Sequence, residues 1–248
     1  MNTYYQLRSR PASKQRGFTL VELMVTVGIA LFLLGGLVTI VQNVRMANMS
    51  QTALAQLQDE QRFAMTVIAD AVQEGGYFAD PTVGATNFGA APPFQAGWAF
   101  AGSHTPGVAD TAANDTIATR FQTQLNYGPI LCNGIDTSLQ GPFTHQIQFS
   151  VAGGQLLCSV DNAAAVPLLT GVQAMAIYYG VKRDTAFADY NVDTYVTWDQ
   201  MVNTDFTTIS SVRVVLTFAN PLFGQPNQPG TITTERVIEV MARAGMHT

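Results

Sequence analysis

From Leu23 to Val41 the chain runs LMVTVGIALFLLGGLVTIV, 19 positions without a charge. As a helix rising about 1.5 Å per residue it would reach about 28 Å, close to the roughly 30 Å hydrocarbon core of a bilayer. The helical pattern then continues in amphipathic form. Leu54, Leu57, Ala64, Ile68 and Val72 fall near one face with Met65 beside it, while Gln51, Gln58, Asp59, Arg62 and Gln73 lie elsewhere. No proline interrupts residues 19–80, and Gly75-Gly76 is a strong stop signal. The pattern predicts one helix from about Phe18 to Glu74, roughly 85 Å long. Its second half carries an apolar stripe that must pack on a folded domain. Gly28 and the Gly35-Gly36 pair weaken the first half but permit close helix contacts in a membrane.

Beyond the helix the period changes from 3.6 to 2. Residues 77–113, rich in Gly, Ala and Pro, read as loop. Strands are predicted at Asp115–Gln122, His145–Val151, Gln155–Val160, Gly171–Val181, Ile209–Ala219 and Ile232–Ala244. Ala152-Gly153-Gly154 reads as a hairpin turn, and Trp198–Val202 as a helical turn. In the fifth strand Val212, Val214, Leu216 and Phe218 face one side, and Arg213, Val215 and Thr217 the other. The fold class is α+β: a long N-terminal helix, membrane-spanning in its first half, packed on an antiparallel sheet. The chain divides into a short basic leader (1–17), an apolar half-helix (18–44), an amphipathic half-helix (45–76) and a β-rich globular domain (77–248). No internal repeat is seen.

Charge sharpens this outline. The chain has 248 residues, of which only 12% are charged, about half the usual share. Residues 1–17 hold Arg8, Arg10, Lys14 and Arg16 and no acid, whereas the rest carries 8 basic and 17 acidic residues. Basic residues precede the apolar run and only Arg45 follows closely, so the N-terminus is expected in the cytoplasm and the remainder across the membrane. An acidic domain argues against nucleic acid as a partner, since such binding needs clustered cations. The only two cysteines, Cys132 and Cys158, would be thiols in the cytosol but are expected to form a disulfide in an exported domain.

Three kinds of segment share an apolar N-terminal run. A secretory signal has a shorter apolar region with small residues directly behind it, but the first A-x-A after the run, Ala53-Leu54-Ala55, comes about a dozen residues too late. A plain signal anchor fits the hydropathy. The junction Lys14-Gln15-Arg16-Gly17-Phe18-Thr19-Leu20-Val21-Glu22-Leu23 is more specific. It resembles the class III signal of type IV prepilins: a basic leader ending in glycine, then FTLVELMV. The resemblance implies cleavage between Gly17 and Phe18 by a membrane-embedded prepilin peptidase, and methylation of the new Phe18 amine. It also implies a role for Glu22. An ionisable side chain at the edge of an apolar span is usually functional, and in a filament it can pair with the Phe18 ammonium of a neighbouring subunit and fix one register. A carboxylate resting at headgroup level is the alternative.

Further segments resemble the PilW family of minor pilins. Glu60-Gln61-Arg62-Phe63-Ala64-Met65 through Glu74-Gly75-Gly76-Tyr77 is similar to that family's GRFAL…AGY element. Asp115-Thr116-Ile117, Tyr178-Tyr179-Gly180-Val181 and Ser211-Val212-Arg213-Val214 are also similar. Relatives often place a cysteine just after AGY, where this chain has Ala79 and Asp80. The resemblance implies a structural subunit rather than an enzyme, without a cofactor. It implies as partners other minor pilins, the major pilin, the prepilin peptidase and the inner-membrane assembly platform. The place implied is the bacterial inner membrane, with the C-terminal domain in the periplasm, and then a pilus or pseudopilus.

Candidate chemistry is sparse. There is no G-x-S-x-G, Walker loop or H-E-x-x-H. His104, His145 and His247 are scattered and read as surface or strand residues. Asp189, Asn191 and Asp193 alternate oxygen side chains like the start of a calcium loop, but Thr194 and Gln200 stand where glycine and glutamate belong. An Asx-rich turn is the preferred reading. Phe88, Phe94, Trp98 and Phe100 are read as tucking a long loop onto the sheet, with an adhesive patch as the alternative. The leading functional reading is a minor pilin that initiates or caps a type IV pilus. A minor pseudopilin of a type II secretion system, the J-type subunit, is its close rival. A tip adhesin or DNA-binding module is the reading from another class.

Overall fold

The computed structural model describes residues 17–80, 88–126, 128–139, 141, 143–184 and 191–241. It divides into two compact units, Met1–Gln51 and Thr52–Thr248. Helix α1 (Leu20–Glu74) covers 55 residues, as the unbroken pattern predicts. In the first unit every described residue through Met49 is exposed. The hydroxyls of Thr26 and Thr39 donate back to the carbonyls of Leu23 and Gly35, at 2.9 and 3.0 Å. These two polar side chains are therefore satisfied within the helix, as an apolar solvent demands.

The second unit begins with the amphipathic part of α1. Its stripe buries Leu57, Ala64, Met65, Ile68, Ala69, Ala71 and Val72. The helix stops at the glycine pair for two separate reasons. Gly76 has φ +87°, the left-handed conformation of a C-terminal cap, and its N–H donates to the Arg120 carbonyl at 2.9 Å. Gly75 has no room for a side chain, since a Cβ there would fall 2.5 Å from the Phe100 ring.

Two antiparallel sheets follow. The first is a five-stranded meander in sequence order: β1 (Phe100–Ser103), β2 (Thr116–Gln122), β3 (Thr144–Ala152), β4 (Gln155–Val160) and β5 (Val166–Thr170). The second, in the order β7-β6-β8-β9, contains β6 (Val172–Val181), β7 (Thr194–Val196), β8 (Ser211–Ala219) and β9 (Thr231–Glu239). The predicted hairpin is present. Gly153 and Gly154, at φ +59° and +73°, form a two-residue turn between Ala152 and Gln155; positive φ at both positions is the type I′ requirement that glycine meets without strain. Trp198–Gln200 is a short 3-10 turn, where a helical turn is predicted.

The expected single sheet is thus two, joined at a seam. Residues 113–115 run beside β6, with Asp115 N–H donating to the Met175 carbonyl and Met175 N–H to the Ala113 carbonyl, each at 2.9 Å. The buried Asp115 carboxylate accepts the Ile177 N–H at 2.8 Å and bonds His104 Nδ1 at 2.9 Å. His104 is therefore mostly buried in a hydrogen bond to this carboxyl group rather than on the surface. A shared core fills the second unit, in which Ile68 and Val72 of α1 join Ile117, Leu156, Val172, Val214 and Phe218. The predicted inward face of β8 is wholly buried. Its other face is also largely covered, since Val215 packs with Ala113, Ala176 and Tyr178.

Candidate functional site

The most unusual surface is the N-terminal junction and the helix it opens. Thr19 lies just before the first helical residue. Its hydroxyl oxygen accepts the Glu22 backbone N–H at 3.3 Å and its carbonyl accepts the Leu23 N–H at 3.2 Å. Thr19 is an N-cap with glutamate three positions on, the sequence pattern of a capping box. The FTLVE stretch thus has a local reason for its threonine and glutamate, which the sequence reading passed over. The structure brings Gly17, Phe18 and Glu22 within about one turn and leaves Phe18 77% exposed. Apolar side chains from Leu20 to Met49 are at least half exposed almost throughout. Glu22 and Arg45 are the only charges between Phe18 and Gln58. Among the described residues, this helix is the one long and apolar enough to cross a membrane, with a mean hydropathy of 2.5 in its best window.

The globular unit carries the remaining candidates. Cys132 and Cys158 form a disulfide with Cα atoms 6.4 Å apart, 26 positions distant in sequence, within the reach such a bond needs. Cys158 lies in an interior strand, because β5 pairs outside β4, so the bond anchors the segment around Cys132 to the sheet interior. Of the calcium candidates, Asp189 lies outside the described residues. Asp193 accepts the backbone N–H groups of Arg183, at 2.9 Å, and Asp184. The Arg183 side chain turns to buried Asp205, with a closest approach of 2.6 Å. Burial pushes the Asp205 carboxyl up, but Arg183 and the Val202 N–H together hold it below its ordinary value. Among the described residues no group of three or more His, Cys, Asp or Glu side chains could hold a metal.

The loop aromatics have the packing role preferred from sequence, and at their centre is a residue the sequence reading missed. Arg120 on β2 is 1% exposed. Its guanidinium donates to the carbonyls of Gly89 and Gln95, both at 2.7 Å, and of Trp98. It lies 4.7 and 4.9 Å from the ring centres of Phe88 and Phe94, close enough for cation–π attraction. Burial pushes its pKa down to about 10, so it stays charged at neutral pH. Phe88 and Phe94 are consequently cage walls rather than an exposed patch. Trp98 stacks on Phe206 with ring centres 3.6 Å apart. The available signal was a lone arginine amid the apolar positions of β2.

Residues 12–38 match the model of the prokaryotic N-terminal methylation motif. Residues 148–235 match the model described as type IV pilus-assembly protein W. The second match takes in Tyr178–Val181 and Ser211–Val214 but neither residues 60–77 nor 115–117. No curated protein matches the chain. A solved structure, a type IV-like pilin from Thermus thermophilus, is similar at 15% identity and a TM-score of 0.42, covering 75% of this chain and 96% of that one. A methylation-type N-terminal motif, one long apolar helix and two antiparallel sheets are together similar to the make-up of type IV pilin-like proteins. Over residues 148–235 the chain is similar to the family described as type IV pilus-assembly protein W.

Proposed function

We propose that the protein is a minor pilin: a structural subunit that helps initiate or cap a type IV pilus by stacking its N-terminal helix with those of other pilins. One observation carries the reading. An exposed helical segment with no charge between Glu22 and Arg45 opens on a capped turn that holds Phe18 and Glu22 directly after Gly17. A helix with this much exposed apolar surface needs either lipid or other helices around it. In the membrane it is an anchor with a cytoplasmic N-terminus and a periplasmic domain. Released into a filament, it exchanges lipid for neighbouring pilin helices. The partners are other minor pilins, the major pilin, the prepilin peptidase and the inner-membrane assembly platform. A minor pseudopilin of type II secretion would use the same parts; filaments recovered from cells lacking one system or the other separate the two.

Cleavage is expected between Gly17 and Phe18, followed by methylation of the Phe18 amine. Mass spectrometry of the membrane form reads this directly. An intact leader, or a mature start near Gln56, would sink the reading. Glu22 is expected to pair with the Phe18 ammonium of a neighbouring subunit. Glu22→Ala should leave processing intact and reduce the protein several-fold in sheared filaments relative to membranes, since a charge pair in an apolar bundle is strongly missed when one partner is removed. Helix capping predicts something different, a modest loss of helix stability. Wild-type incorporation of the variant would refute the pairing.

A further inference from the structure

Two adjoining hollows of about 440 and 290 Å³ lie along the last turns of α1, and Glu74 and Pro129 line both. The walls are mostly apolar. Tyr77, Phe121 and Met241 line the first, and Phe63, Leu131 and Leu168 the second. Ile130, which also lines the second, is 72% exposed. Cys132 lies in the same wall, so the disulfide ties this wall to β4.

At the rim of these walls the helix places two carboxyl groups one turn apart, exposed Asp70 and half-buried Glu74. The arrangement is unfavourable on three counts. Like charges at this spacing repel. The C-terminal end of a helix carries partial negative charge, and no basic residue stands in the last turn of α1. Burial, followed by the charge of Asp70, pushes the Glu74 carboxyl up to about 7. Among the described residues lining either hollow there is no lysine, arginine or histidine.

We propose that this groove receives a lysine or arginine side chain carried on an apolar segment of a neighbouring filament subunit, the cation meeting Asp70 and Glu74 and the apolar flank covering Phe63, Tyr77 and Ile130. The proposal rests on the filament-subunit reading for its partner and on the groove alone for its chemistry. Charge and shape complement each other here. A cation relieves the repulsion and the dipole mismatch together, and the apolar walls weaken competition from water.

The test uses the full-length protein in nonionic detergent, with butylguanidinium as the probe and butanol as its uncharged counterpart. Butylguanidinium should bind in the millimolar range and weaken as salt is raised. The double variant Asp70→Asn, Glu74→Gln should lose at least about tenfold in probe affinity, equivalent to 1.4 kcal/mol. Both changes keep side-chain shape and remove a repulsion, so the variant should fold at least as well. Equal binding of butanol, or an unchanged affinity in the variant, would overturn the site. Truncation after Met241 removes Arg243. A tenfold gain in probe affinity on truncation would make the chain's own tail the occupant, and would also overturn the proposal. In cells the double variant, with Glu22 intact, should be several-fold depleted from sheared filaments, and normal incorporation would overturn the neighbouring-subunit partner. Absence of the wild-type protein from filaments, with the probe result intact, would instead remove the filament reading and leave the cation site standing.

Discussion

Arg120→Met should lower the melting temperature of the protein by about 10 °C. Methionine keeps much of the apolar volume but removes every donor. The carbonyls of Gly89, Gln95 and Trp98 then lose their partner in the protein, and each acceptor left unsatisfied in a buried setting costs about 1 to 3 kcal/mol. Loss of the contacts with Phe88 and Phe94 adds to this. A total near 4 kcal/mol corresponds to roughly 8 to 16 °C in a domain of this size. Arg120→Lys should recover only part of the loss, because one ammonium cannot fork to three carbonyls as a guanidinium does. Thermal melts followed by circular dichroism decide the matter. A methionine variant that melts within about 2 °C of wild type would show that the cage is dispensable. Protease cutting near residues 88–98 should accelerate in step, since this is the segment the guanidinium holds down.

Removing the disulfide should have an effect of similar size through a different route. Cys132→Ser with Cys158→Ser opens a loop spanning 26 positions, and the chain-entropy model values such a closure at roughly 3.5 kcal/mol. That is a large part of the roughly 5 to 15 kcal/mol by which a domain is stable. The expected change is about 7 to 14 °C in melting temperature, and reduction of the wild-type protein should reproduce it. The two losses should add in a variant carrying both, because Arg120 binds the 89–98 segment and the disulfide the 128–134 wall, without a shared contact. A disulfide-free variant as stable as wild type, or free thiols found by non-reducing peptide mapping of the folded protein, would defeat the claim.

Much of this architecture was legible in the sequence. The helix was, because its apolar run and stripe are long, proline-free and closed by Gly75-Gly76. The turn at Gly153-Gly154 and strands β3 and β4 were, because alternation of period two survives where one face is buried more than the other; β2, β6 and β8, buried on both faces, were legible as runs of strand-forming residues. Three strands were not. β1 sits in a stretch whose Gly and Ala content reads as loop, β7 has only three residues, and β5 contains Pro167, which an edge strand tolerates but a sequence reading counts against a strand. Strand β9 ends at Glu239 rather than Ala244, with residues 242–248 outside those described. The junction residues Gly17, Phe18 and Glu22 were legible because a motif is local. Arg120, Asp115 and Asp205 were not. Their roles depend on partners 22 to 31, up to 62 and 22 positions away, and no local pattern encodes such distances.

The seam at Asp115 has a mechanical consequence. Its carboxylate and the backbone of residues 113–115 bind β6 at Met175 and Ile177, so the first sheet cannot separate from the second without stripping a buried charge of its hydrogen bonds. A molecule pulled through its helix would therefore share the load between both sheets and would not shed them one after the other. The helix end adds to this, because Gly76 hangs directly on the Arg120 carbonyl of β2. Force entering at the glycine pair reaches β2 at once, passes through Asp115 into the centre of the second sheet, and meets the stiffest part of the domain before it can peel an edge.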